Sequence, residues 1–142
     1  MATVYGKNKT IVNLADGSKI PAGEVGGEVK VAYDEYTLLA EMALNDIIDL
    51  ALSIPVGARI VDAAIVSPSM GATGIFQLGT AAVPAALVAA ADAGGQAVVA
   101  SGAGVDVGLK LAATTNYQLK CTEATAAGLG LTVKAWVAYV ML

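Results

Sequence analysis

The chain has 142 residues, 56% of them apolar and only 14% charged, enough for one core without disulfide or metal staples and too apolar for general disorder. Its formal net charge of −4 excludes a basic nucleic-acid binder, whose phosphate contacts need clustered Lys and Arg. Histidine is absent and Cys121 is the one cysteine. His-based triads, His-containing zinc sites, CxxC pairs and internal disulfides are therefore excluded, and no metal or cofactor is expected.

Residues 1–28 read as an extended N-terminal arm. Ile11 to Leu14 is a short apolar run, Asp16-Gly17-Ser18 is a turn signal, and Pro21, Gly23, Gly26 and Gly27 interrupt the remainder of the segment. Too few apolar residues are present for a core of its own, so the segment is either loose or docked on a neighbouring subunit. No secretory signal is read in it, because Lys7 and Lys9 precede a polar, turn-rich stretch rather than a continuous apolar run.

From Val29 the period is two. Val29, Val31 and Tyr33 alternate with Lys30, Ala32 and Asp34, which predicts a strand. Residues 36–52 contain Leu38, Met42, Ile47 and Ile48 on loosely helical spacing, but Asn45-Asp46 breaks the stripe and Ile48, Leu50, Leu52 and Ile54 alternate cleanly. Two strands are the better reading there. A turn at Pro55-Val56-Gly57 leads to a more uniformly apolar strand from Ile60 to Val66, then a short one from Ile75 to Leu78.

Residues 63–91 carry no charge, yet Pro68, Pro84, Gly71, Gly74 and Gly79 punctuate them, so no membrane span is expected. Residues 81–91 are taken as a loop with one helical turn. Val105, Val107, Leu109 and Leu111 alternate like a strand, as do Tyr117, Leu119 and Cys121. Beyond the loop at 124–130, Val133, Ala135, Val137, Tyr139 and Met141 share one face, and the last two strands are read as a hairpin. The expected fold class is all-β: an antiparallel, jelly-roll-like β-sandwich over residues 29–142, preceded by the arm.

Candidate chemistry is sparse. The carboxylates Asp34, Glu35, Glu41, Asp46 and Asp49 cluster early without a calcium-loop pattern or a glycosidase signature, and solvated strand ends are the expected role. The Gly-rich tracts lack the Lys-Ser/Thr ending of a phosphate loop. Ser67 and Ser101 have no base of the usual kind, and Cys121 is expected to be a small core residue. An enzyme is not expected.

Charge is uneven as well. Beyond Asp62 only Asp92, Asp106, Lys110, Lys120, Glu123 and Lys134 are charged. A surface so poorly ionised is expected where other chains cover it.

Several segments carry a family resemblance. Residues 29–36 (VKVAYDEY), Asn45-Asp46-Ile47-Ile48-Asp49-Leu50, residues 54–62 (IPVGARIVD), Thr73-Gly74-Ile75-Phe76-Gln77-Leu78-Gly79 and Ala91-Asp92-Ala93-Gly94-Gly95-Gln96-Ala97 occur in order. Together they resemble small virion proteins of tailed bacteriophages, of the capsid decoration or cement type. The resemblance covers the chain from Val29 onward and leaves out the first 28 positions. It implies a jelly-roll subunit on the capsid surface, synthesised in the bacterial host cytoplasm, often homotrimeric and bound to the major capsid protein, with no catalytic residues. On this reading Tyr5, Lys7, Lys9, Ile11 and Val12 form the capsid-contact arm, and neither nucleic acid nor membrane is a partner. Rival readings are a fibre base or host-binding tip, and a carbohydrate-binding module. The last would need Trp136 and Tyr139 exposed together, although three positions apart on one strand they point to opposite faces.

Overall fold

The structure, a computed structural model, describes residues 28–68, 75–92, 98–102, 104–123 and 129–141. Among these residues eight strands run in chain order: β1 (Val29–Thr37), β2 (Ile47–Ile54), β3 (Ala58–Ser67), β4 (Ile75–Gly79), β5 (Val88–Asp92), β6 (Val98–Ser101), β7 (Thr115–Cys121) and β8 (Thr132–Met141). β4 pairs with β5, β3 with β6, β2 with β7 and β1 with β8, all antiparallel. The chain is thus one long two-stranded ribbon bent double between β4 and β5. Rolling that ribbon sets β8 beside β3 and β7 beside β4, giving two four-stranded sheets ordered β1-β8-β3-β6 and β2-β7-β4-β5. This is the jelly-roll topology, and the expected all-β sandwich is what the chain forms.

The core lies between the sheets because each strand turns one row of apolar side chains inward. In β2, exposed and buried residues alternate without exception, with Ile48, Leu50, Leu52 and Ile54 inside. β3 is buried more evenly since it is central, flanked by β8 and β6. One extra residue, Val61, interrupts its register with β8, a bulge whose Asp62 carboxylate accepts a hydrogen bond from the Ala63 amide at 2.8 Å. Cys121 is fully buried in the core, as expected. Burial raises its thiol pKa above the ordinary value.

The contested region 36–52 holds two strands. Between them Leu38 and Met42 are buried, and Asn45, at φ 72°, reverses the chain into β2. The Asn45 amide donates to the Cys121 carbonyl at 2.9 Å, and the Cys121 amide to the Asp46 carbonyl at 2.8 Å.

Three expectations are corrected. β7 and β8 are not a hairpin: they belong to opposite sheets, and the connection between them crosses the sandwich. Backbone hydrogen bonds between Leu38 and both Gly130 and Leu131 hold that crossing to the end of β1. Next, β5 occupies Val88–Asp92, where a loop was expected. It comes after a tight turn in which Thr80 and Val83 exchange hydrogen bonds. Finally, the alternation from Val105 to Leu111 is not a strand. Gly108, at φ 84°, forces a turn, and only an isolated bridge from Lys110 to Arg59 remains.

That turn segment is nonetheless firmly held. Its amides at Gly104, Asp106 and Gly108 donate to the carbonyls of Leu87, Ala86 and Ile60. Gly104 has no room for a side chain, because a Cβ there would overlap the Ala86 carbonyl. The Tyr117 hydroxyl reaches out of the core to donate to Asp106 at 3.0 Å. Burial first, and the bond to Asp106 second, hold this phenol well above the ordinary tyrosine value. The unfolded chain releases the same proton near pH 10, so the stabilisation is intact below about pH 10 and is lost above it. Tyr117→Phe is expected to lower stability at neutral pH by about 1 kcal/mol and to flatten the decline above pH 10. Urea titrations at pH 7 and through the alkaline range measure both.

Candidate docking surface

Alternation gives the period of β1, and its register with β8 gives the phase. Ala32 sits opposite Val137 and packs on the core. The residues on either side of Ala32 therefore face away from it: Val29 opposite Val140, Val31 opposite Ala138, Tyr33 opposite Trp136. This inverts the usual pattern of a half-buried strand. The apolar row of β1 points outward, with Val29, Val31 and Tyr33 exposed by 56%, 59% and 51%, while Lys30 and Asp34 alternate to the other side, Asp34 half-buried and Lys30 still exposed. The Asp34 carboxylate accepts hydrogen bonds from the Glu35 and Ala51 amides, both at 2.8 Å, so it ties β1 to β2 where the two sheets share an open edge. Inward-pointing charges on an edge strand oppose edge-to-edge pairing.

The same face continues across the sheet. Ala64 of β3 lies opposite Trp136 and is fully covered, Ala138 and Val140 are buried, and Val61 at the bulge is exposed. Glu35, opposite Lys134, and Arg59, whose guanidinium donates to the Gly108 carbonyl at 3.0 Å, stand at its margins, and one carboxylate, Asp62 opposite Ala138, stands within it. Tyr33 donates to Glu35 at 2.7 Å, and this bond, with smaller desolvation and charge effects, raises its phenol pKa. Tyr33 and Trp136 are directly cross-strand in register, a placement in which paired aromatic residues support a sheet surface.

Among the other candidates, Asp46 accepts from the Ala43 amide at 2.7 Å and serves the turn before β2. Trp136 and Tyr139 point to opposite faces, Tyr139 packing on the core, so they form no shared sugar platform. Tyr5, Lys7, Lys9, Ile11 and Val12 lie outside the described residues. Among the described residues, no group of three or more Cys, Asp or Glu is placed to hold a metal ion, and no helix is long and apolar enough to cross a membrane. The exposed row of β1 escaped sequence reasoning because alternation does not say which row faces in.

The fold has solved counterparts. A chain of the cyanophage Pam1 capsid asymmetric unit superposes with a TM-score of 0.72 at 18% identity, covering 92% of this chain and 97% of that one. A chain of the capsid of Ralstonia phage GP4 gives 0.63 at 20% identity, covering 82% and 86%. At these identities the likeness establishes a shared fold. No protein-family model and no curated protein matches the chain.

Proposed function

We propose that this chain is a non-enzymatic virion structural protein, a capsid decoration (cement) protein. It docks on the major capsid protein of a tailed phage, as a homotrimer at the capsid surface, and stabilises the shell through its sandwich face and its arm. The observation that carries this reading is the outward apolar row of β1, continued by Trp136 on β8. An edge strand that turns two valines and a tyrosine to water, with Asp34 on its inner side, presents the kind of exposed apolar row that marks a contact surface. The shared fold with chains of two phage capsids supports a shell as that partner, as does the scarcity of charge beyond Asp62.

Apolar burial supplies the affinity, at about 25 cal/mol per Å² before association costs. Lys7 and Lys9 would add only about 0–1 kcal/mol each as exposed pairs. Many copies on one particle convert a modest single-site affinity into durable attachment.

The test is co-sedimentation of the purified chain with phage shells stripped of it, followed by imaging of its position and copy number. Removing residues 1–20 is expected to weaken attachment at least tenfold (about 1.4 kcal/mol) while the far-ultraviolet spectrum of the sandwich is retained. Absence of the chain from the shell surface would refute the reading.

A further inference from the structure

At the end of β1 opposite its junction with residues 1–27, the chain forms a groove of about 380 Å³. Its apolar wall includes Tyr36, Leu39, Met42 and Ile47, and its rim carries Glu41, Asp46 and Asp49, with no basic residue in the lining. Leu39 is 81% exposed and Ile47 53%, so the wall lacks a cover among the described residues. The nearest cation by register is Lys120, opposite Ile47 on β7. Residues 1–15 have the complementary composition: Lys7 and Lys9 with no acid, among Tyr5, Ile11, Val12 and Leu14.

We propose that this groove receives residues 5–12 of a second copy of the chain. The inference rests on the decoration reading, in which the arm reaches an adjacent subunit, and it names the acceptor. The side chains of Tyr5, Ile11 and Val12 cover the apolar wall while Lys7 and Lys9 meet the acidic rim. β1 separates the arm junction from the groove by roughly 26 Å at a strand's rise per residue, and the twenty or so residues from Lys9 to Glu28 extend up to about 66 Å. The arm is therefore long enough for its own groove or a neighbour's, and it is the decoration reading, with the arm on an adjacent subunit, that makes the neighbour the acceptor. An arm-in-groove contact between copies runs head to tail, the heterologous type from which a cyclic trimer is built.

Single-cysteine pairs test this on the full chain. Val12→Cys in one preparation and Leu39→Cys in another are mixed under a mild oxidant, and a disulfide-linked dimer is expected on non-reducing gels. Native Cys121, fully buried, stays unlinked. Adding Glu41→Lys and Asp49→Lys to the Leu39→Cys chain is expected to slow linkage about tenfold, as for charge reversal at a steered contact. Adding Lys7→Glu and Lys9→Glu to the Val12→Cys chain is expected to restore it. No dimer, or linkage indifferent to these reversals, overturns the proposal. So does closure of a Val12→Cys/Leu39→Cys double variant within a single chain in place of linkage between chains, which would put the arm in its own groove. Shell attachment is not read in this experiment, so its failure is separate from failure of the decoration reading.

Discussion

Val31→Lys combined with Tyr33→Lys is expected to weaken attachment to the shell by at least a hundredfold, the largest functional effect of any surface change in the molecule. Both side chains are more than half exposed on an edge strand, where lysine is well tolerated, so stability should move by about 0.5 kcal/mol or less. Docking is another matter. Two ammonium groups forced against an apolar contact must be desolvated without partners, at several kcal/mol in total. A hundredfold loss corresponds to about 2.7 kcal/mol, within that cost. Ser53→Lys on exposed β2 is the control and should attach as the parent chain does. Co-sedimentation with stripped shells measures all three, and undiminished attachment of the double variant would show that this face is not the one used.

The largest effect on stability is expected at Phe76, the one phenylalanine of the chain. It is fully buried in β4, with Ala91 in register on one side and Cys121 on the other. Phe76→Ala removes a ring from the inner layer and leaves a cavity that two flanking strands cannot collapse into, at a cost of about 3–5 kcal/mol. Against the roughly 5–15 kcal/mol of a typical domain, that loss should leave a measurable unfolded fraction near 37 °C. Val61→Ala at the exposed bulge should change little. Urea denaturation of the two variants makes the comparison, and equal midpoints would contradict the burial assigned to Phe76.

Legibility of the fold from sequence tracked burial. β2, β7 and β8 were readable because each buries one row of large side chains against the opposite sheet. β5 was not, because Val88-Ala89-Ala90-Ala91-Asp92 has little intrinsic strand preference and is extended by its pairing with β4. β6 was missed as well: Val98-Val99-Ala100-Ser101 is too short for a period to declare itself. The Val105–Leu111 pattern misled in the other direction. Its even spacing places Val107 and Leu111 toward the core while Val105 and Leu109 remain exposed, which a turn around Gly108 achieves as well as a strand would. Pairing was the least legible feature, since turn residues before β8 fit a crossing between sheets as readily as a hairpin. The candidate docking face shares that difficulty. Val29, Val31 and Tyr33 were visible as a row, but only the register with β8 shows that the row looks outward.

The bent-double ribbon also governs when the outward face of β1 is completed. Thr37 and Thr132, 95 positions apart, are joined by a hydrogen bond of 2.9 Å, and Tyr33 meets Trp136 across the same strand pair. Contacts so remote along the backbone make the chain-closure entropy large and folding slow, on the millisecond-to-second scale of β-rich proteins. During synthesis β1 emerges early and must wait for β8 before its valines acquire neighbours. The outward row of β1 is therefore completed last, and under the decoration reading only a finished subunit would be competent to dock on a shell.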